Sequence, residues 1–141
     1  MAQNNPGRAT STAAKIDAAS LAARPCFLCA GNQPAEQRGL DYGDQWRLLC
    51  NPAPLFDPHF TIVHRDHVPQ LIVPFIDPLL QLARDLAGYY TVFYNGPSSG
   101  ASAPDHAHFQ ASPVGVTPFE TELAGELCQD HRSNDHRWIE W

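Results

Sequence analysis

The clearest alternation of apolar and polar positions in the chain runs over residues 59–64. Successive side chains of a strand point to opposite faces of its sheet. The segment therefore predicts a strand with two faces of three residues each: Phe60, Ile62 and His64 on one, and His59, Thr61 and Val63 on the other.

Three further segments predict strands. Residues 46–50 form a short apolar run, and residues 89–94 are aromatic and β-branched, which favours extended backbone. Residues 106–112 alternate, and their polar members are predicted to share one strand face: His106, His108, Gln110 and Ser112.

An amphipathic helix is predicted ahead of the strand at 89–94. Asp77-Pro78 combines a capping side chain with proline at the first helical position, and apolar residues follow at helical spacing to about Gly88. The segment 117–120, Thr-Pro-Phe-Glu, resembles a capping box and predicts the start of a second helix. Together these elements predict an α+β fold: an antiparallel sheet with the 78–88 helix packed on one face.

The two ends of the chain differ from this central part. Residues 1–23 are rich in Ala, Ser, Asn and Thr and are predicted to form a flexible tail, with one weak helix around Ser11–Ala23. A single domain is predicted over residues 24–141. The apolar segment Trp138–Trp141 predicts the opening of a strand that is not completed. We therefore expect the sequence to be a C-terminally truncated piece of a longer protein.

Composition narrows the possible classes of function. The 141 residues include 15 acidic and 9 basic side chains, with no basic cluster, which argues against a nucleic-acid partner. No apolar run reaches the length of a membrane span, and the first 25 residues show no secretory signal. We expect a cytoplasmic protein without a membrane partner. The notable excess is seven histidines and four cysteines.

Cys26 and Cys29 form a C-x-x-C pair. Without a visible secretory signal, this spacing favours zinc or a redox pair over a structural disulfide. A thioredoxin-like motif is disfavoured because no strand precedes the pair and no βαβ pattern follows it. Zinc needs four N or S ligands, and Cys50 and Cys128 are isolated in or beside apolar runs. Histidines would complete the site, one from each of two pairs: His64 with His67, and His106 with His108.

The pattern His106-x-His108-x-Gln110 follows a loop rich in glycine and serine, residues 96–104. Such a loop offers backbone N–H groups and hydroxyls to phosphate oxygens. An imidazole can attack phosphorus, and neighbouring donors can stabilise the charge that develops on the non-bridging oxygens. Two histidines at this spacing are also typical of surface positions or metal ligands, so the pattern alone leaves these readings open.

Residues 95–110, Asn-Gly-Pro-Ser-Ser-Gly-Ala-Ser-Ala-Pro-Asp-His-Ala-His-Phe-Gln, resemble the active-site signature of the histidine-triad superfamily. Glutamine at the third triad position resembles the transferase branch, which includes galactose-1-phosphate uridylyltransferase, diadenosine tetraphosphate phosphorylases and GDP-galactose phosphorylases. The hydrolase branch carries histidine there. Residues 26–32, Cys-Phe-Leu-Cys-Ala-Gly-Asn, resemble the zinc-binding segment of uridylyltransferases. The resemblance covers about residues 24–112.

The resemblance implies a role for each matching residue. His108, the middle histidine, would be the nucleophile, and Gln110 would bind the α-phosphate of the intermediate. Residues of the loop would contact phosphate or order the loop: Asn95, Ser98, Ser99, Gly100 and Ser102. A structural zinc ion would be held by Cys26, Cys29, His67 and His106. His64 is expected to be a buried strand residue near that site.

The implied function is that of a nucleotidyltransferase or phosphorylase with a covalent nucleotidyl-histidine intermediate. Its substrate would be a nucleoside diphosphate sugar or a dinucleoside polyphosphate, and its acceptor a phosphate or sugar phosphate. Gln110 cannot relay a proton as imidazole can, which disfavours water as the acceptor. The alternatives are a nucleotide hydrolase of the same superfamily and a non-catalytic zinc-braced fragment. Histidine-triad domains pair, so a homodimer or a missing second half is expected.

Overall fold

The computed structural model of the chain describes residues 17–99 and 101–130. Its centre is one antiparallel sheet of five strands, in the spatial order β1-β2-β3-β5-β4. The strands are β1 Gly39–Tyr42, β2 Trp46–Cys50, β3 Phe60–His64, β4 Tyr90–Phe93 and β5 His108–Pro113.

Within the described residues, three α-helices accompany the sheet, and the predicted α+β fold is confirmed. They are α1 Ala18–Ala22, α2 Ile76–Asp85 and α3 Pro118–Asp130, with short 3₁₀ turns at Ala30–Asn32 and Val73–Phe75. None of the helices in the described part of the chain is long and apolar enough to cross a membrane.

The main core lies between α2 and one face of the sheet. Leu82 of α2 is fully buried, and the Trp46 ring stacks on Phe109 with ring centroids 4.8 Å apart. A smaller core cluster on the other face of the sheet contains Leu28, Leu49, Val63 and Ala103. The alternation predicted for residues 60–64 is confirmed, because Ile62 belongs to the first cluster and Val63 to the second.

Most predicted elements are present with shifted ends. β2 has the predicted bounds, β3 starts one residue later than predicted, and β4 lies within the predicted 89–94. α2 begins at Ile76, because the 3₁₀ turn before it runs directly into the helix. It ends at Asp85, ahead of Gly88, whose φ of 84° lies in the left-handed region that favours glycine.

Two features differ from the sequence-based expectations. β1 was not predicted: it has four residues, and its Leu40 is 74% exposed at the edge of the sheet, so it carries no alternating apolar signal. The prediction that His106 belongs to a strand was wrong, because β5 begins at His108. The backbone N–H of His106 donates to the Ala103 carbonyl at 3.3 Å, so a turn occupies this position.

The second predicted helix is α3, and it begins as the capping box indicates. The Glu120 carboxylate accepts hydrogen bonds from the backbone N–H of Thr117 at 3.1 Å and of Gly115 at 3.0 Å. It also accepts one from the hydroxyl of Thr91 on β4, which ties the helix to the sheet. The helix predicted at Ser11–Ala23 is present over Ala18–Ala22. The strand predicted at Trp138–Trp141 lies outside the described residues, and the proposed domain limits stay a prediction.

Candidate active site and metal cluster

A cavity of about 570 Å³ opens on the face of the sheet opposite α2. Its floor is formed by side chains of three neighbouring strands: Leu49, Thr61, His108 and Gln110. The segment between Arg24 and Gln37 and the loop ahead of β5 contribute its walls. The volume lies in the range of pockets that bind molecules of nucleotide size.

His108 stands at the first position of β5 and is only 7% exposed. Its Nδ1 lies 2.8 Å from the backbone carbonyl of His106. Because a carbonyl can only accept, Nδ1 carries the proton, and Nε2 of the neutral ring keeps its lone pair. Burial lowers the pKa of His108 below its usual value, which favours this neutral form.

Gln110 lies two residues further along β5, and His59 orients its amide. The backbone N–H of Leu55 donates to Nδ1 of His59 at 3.2 Å, so Nε2 of this imidazole carries the proton. That Nε2 donates to Oε1 of Gln110 at 2.9 Å. The amide oxygen is thereby engaged, and Gln110 offers its NH₂ group as a donor in the cavity.

Gln70 fixes the backbone of His108 and was not found by sequence reasoning. This side chain is 1% exposed. Its Oε1 accepts from the His108 N–H at 2.7 Å, and its Nε2 donates to the His108 carbonyl at 2.9 Å and to the Asn95 carbonyl at 3.0 Å. The amide thus joins β5 to the start of the loop.

Only some of the loop residues proposed from the sequence to contact phosphate line the cavity. Asn95 and Ser102 line the cavity with His108 and Gln110. Ser98 and Ser99 are exposed and are not among the lining residues. Gly100 lies outside the described residues.

The four side chains predicted to bind metal come together beside the cavity. One donor atom from each of Cys26, Cys29, His67 and His106 lies within 4.8 Å of all the others. The Cys26 sulfur is 3.3 Å from Nδ1 of His106, and the Cys29 sulfur is 3.2 Å from Nδ1 of His67. Such a set of two thiols and two imidazoles could bind a metal ion.

Backbone and carboxylate partners orient both imidazoles of the cluster. Nε2 of His106 donates to the carbonyl of His64 at 2.8 Å, which leaves Nδ1 free to ligate. Nε2 of His67 lies 3.4 Å from a carboxylate oxygen of Asp105. The ring of His64 packs edge-on against Trp46. The contact of His64 with the cluster is through its backbone carbonyl, which accepts the hydrogen bond from His106.

The cysteine pair sits in a compact turn. The backbone N–H of Cys29 donates to the Cys26 carbonyl at 3.2 Å, and the Asn32 N–H donates to the Cys29 carbonyl at 2.9 Å. Burial alone would raise the pKa of the Cys26 thiol, but a protonated His106 ring beside it and the backbone hydrogen bonds of the turn outweigh burial and lower that pKa. This favours the thiolate, the form that binds metals.

The site therefore combines a buried neutral imidazole, an oriented amide donor and a cluster of four possible metal ligands.

Residues 1–113 match the model of a family described as a domain of unknown function (DUF4922). The chain belongs to that family. A search among curated proteins finds no match.

Among the solved structures that are similar to this chain are two from clostridia. One is a histidine triad protein from Clostridium difficile, with 18% identity over 67% of this chain and 97% of that chain, at a TM-score of 0.47. The other is an HIT family hydrolase from Clostridium thermocellum, with 17% identity over 58% of this chain and 84% of that chain, at a TM-score of 0.41. At such identities, the activity of neither protein carries over to this chain.

Proposed function

We propose that the protein is a nucleotidyltransferase of the phosphorylase type, with His108 as its nucleophile. The observation that carries this is the state of His108: a buried ring, protonated on Nδ1, that lines a cavity of nucleotide size. The resemblance of residues 95–110 to the transferase branch of the histidine-triad superfamily supports the same assignment. The substrate would be a nucleoside diphosphate sugar or a dinucleoside polyphosphate.

The reaction proceeds in two displacements. First, the lone pair of His108 Nε2 forms a P–N bond with the α-phosphorus, while the bond to the bridging oxygen breaks and the leaving phosphate takes its electron pair. An oxygen of the acceptor phosphate then attacks, the P–N bond breaks, and Nε2 regains its lone pair. The Nδ1 proton stays on the ring throughout and is donated to the His106 carbonyl.

Gln110 supplies charge stabilisation without proton transfer. Its NH₂ group, oriented through His59, would donate to a non-bridging oxygen of the α-phosphate. An amide has no proton to exchange at neutral pH, so it gives no general-base help to water. A phosphate acceptor brings its own negative charge and does not need that help. This combination favours phosphorolysis over hydrolysis.

The donor set of the cluster fits zinc, which prefers thiolate and imidazole ligands in tetrahedral sites. We assign the ion a structural role, because four protein ligands leave no open position for substrate. Its ligands would be Cys26, Cys29, His67 and His106. Holding the His106 ring fixes the residue whose carbonyl orients His108. The expected homodimer or second half and the cytoplasmic location stay predictions.

The test is to trap the intermediate. The protein is incubated with α-³²P-labelled nucleoside diphosphate sugars or dinucleoside polyphosphates, and acid-labile, alkali-stable label on the protein is measured. His108→Ala should abolish the label and keep its metal, whereas His106→Ala should lose metal. If the two variants exchange these outcomes, the roles of the histidines are reversed. Release of label by phosphate rather than water would separate the phosphorylase from a hydrolase, and an unlabelled wild-type protein would refute the proposed function.

A further inference from the structure

Arg24 is the one Lys, Arg, Asp or Glu side chain among the described residues that line the cavity of His108 and Gln110. It is partly buried, whereas Arg38, Arg65 and Arg84 are exposed. The chain as a whole carries a net charge of −6, so a cation at this position is not part of a general basic surface.

The guanidinium of Arg24 has no carboxylate partner within the described ranges. By contrast, Arg47 and Arg65 both contact the carboxylate of Asp41, at 3.6 Å and 2.8 Å. Removing a cation from water is costly unless an anion compensates for it. A partly buried, unpaired guanidinium in a ligand-sized cavity therefore indicates that the ligand brings the negative charge.

Two contacts hold Arg24 in place without using up its donors. Its Nη2 donates to the carbonyl of Ser102 at 2.7 Å, and its guanidinium carbon lies 5.6 Å from the centre of the Phe27 ring. A guanidinium has five N–H groups, so four remain after the bond to Ser102. These donors suit the oxygens of a phosphate, which a guanidinium binds through paired hydrogen bonds.

The position of Arg24 in the cavity suits contact with a second phosphate of the ligand. Its partner Ser102 belongs to the loop that leads into the turn before His108, and Ser102 and His108 both line the cavity. A sphere with the volume of the cavity is about 10 Å across, so side chains on different walls of it can contact one small ligand. Gln110, the donor already assigned to the α-phosphate, is uncharged, and so is every other described lining residue apart from the histidines and Cys50.

We propose that Arg24 binds the leaving phosphate, so that the protein selects nucleotides whose α-phosphate is linked to a further phosphate. This rests on the proposed function and deepens it. When the bond between the α-phosphorus and the bridging oxygen breaks, the departing phosphate gains negative charge, and a preorganised guanidinium stabilises that charge most at this moment. Esters or amides of a nucleoside monophosphate, whose leaving groups have no phosphate, gain nothing from it.

The test compares two donors that give the same nucleotidyl-His108 product. One is a nucleoside diphosphate sugar or dinucleoside polyphosphate; the other is the 5′-phosphorimidazolide of the same nucleoside, whose leaving group is imidazole. Arg24→Met should slow labelling from the pyrophosphate-linked donor by about 10- to 100-fold, the range expected for lost charge-assisted hydrogen bonds. Labelling from the phosphorimidazolide should change less than about threefold. Arg84→Met, at an exposed position of α2, is the matched control.

Arg24→Lys keeps the positive charge but cannot make the paired hydrogen bonds of a guanidinium. This variant replaces Arg24→Met in the test if the methionine variant does not fold. It should alter the ratio of the two labelling rates in the same direction by a smaller factor. Equal slowing with both donors would mean that Arg24 only holds the Ser102 loop, and no slowing with either would mean that it does not touch substrate; both outcomes overturn the proposal. If neither donor labels the wild-type protein, the proposed function itself has failed.

Discussion

The side-chain amide of Gln70 makes both backbone hydrogen bonds of His108, accepting from its N–H at 2.7 Å and donating to its carbonyl at 2.9 Å. Strand β4 ends at Phe93, which pairs with Gln110, so it does not extend alongside the first residue of β5. Gln70 takes the place of the missing strand at that residue. It is a positioning residue, because its contacts are with the backbone of His108 and not with its ring.

Gln70→Met should therefore affect both stability and turnover. It leaves the buried N–H and carbonyl of His108 without partners, which costs about 1–3 kcal/mol for each group. The labelling rate at saturating substrate should fall while KM changes little, because the ring is displaced and the walls of the cavity remain. Thermal unfolding and the rate of label formation measure the two effects. Gln81→Met, at an exposed position of α2, is the control, and an unchanged kcat in Gln70→Met would contradict the positioning role.

Cys26→Ala should lose metal and stability together, because a structural metal contributes directly to folding free energy. Elemental analysis of the wild-type protein should find about one zinc per chain. Cys50→Ala is the matched control, since Cys50 is an exposed thiol outside the cluster. Its metal content should equal that of the wild type. Full metal retention in Cys26→Ala would refute the ligand assignment.

Gln110→His places a group that can relay protons two residues beyond His108. We expect hydrolysis of the nucleotidyl intermediate to increase relative to phosphorolysis, because the new imidazole can deprotonate an attacking water. The measurement is the ratio of nucleoside monophosphate to nucleoside diphosphate formed at fixed phosphate concentration. An unchanged ratio would show that the choice of acceptor is determined by other residues.

Glu120 links stability to acid pH. Hydrogen bonds from Thr91 and Thr117 lower the pKa of this carboxyl to about 2 from a usual 4.5. A depressed carboxyl pKa stabilises the fold above the unfolded-state pKa, and this contribution is lost as the pH falls from about 4.5 towards about 2. Glu120→Gln should therefore reduce the acid dependence of the unfolding temperature between pH 5 and pH 3, whereas Glu122→Gln, at an exposed site on the same helix, should not. Identical acid profiles for Glu120→Gln and wild type would contradict this link.

Four strands of the central sheet, β2 to β5, could be predicted because alternation and β-branched composition are local signals. The patterns C-x-x-C and His-x-His are short enough to be seen in the sequence, but the choice of Cys26, Cys29, His67 and His106 as ligands and of His108 as nucleophile depended on the resemblance of residues 26–32 and 95–110 to a known family. Gln70 and Arg24 could not, since Gln70 is 38 positions from His108 and Arg24 is 78 positions from Ser102. Sequence patterns that repeat every two or four residues do not pair positions so far apart.

His59 and His106 show two different limits. The prediction that His59 and Thr61 share a face was correct, since both line the cavity. The contact of His59 with Gln110 could not be predicted, because it depends on the register in which Thr61 pairs with Gln110 across two strands. His106 is two positions from His108, the spacing of residues that share a strand face. It nevertheless lies outside the strand, because a turn and the contact with Cys26 determine its position.

The cluster joins parts of the chain that are far apart in sequence: Cys26 and His106 are separated by 80 positions, and Cys29 and His67 by 38. Bringing such distant segments together costs the chain entropy of a long loop, and that cost rises only slowly once a loop is long. Local pairings such as the hairpin of β1 and β2 form without it. We therefore expect the segment that carries the two cysteines to dock later than the hairpin of β1 and β2, so that the wall it gives the cavity becomes native together with the long-range pairing of β3 and β5.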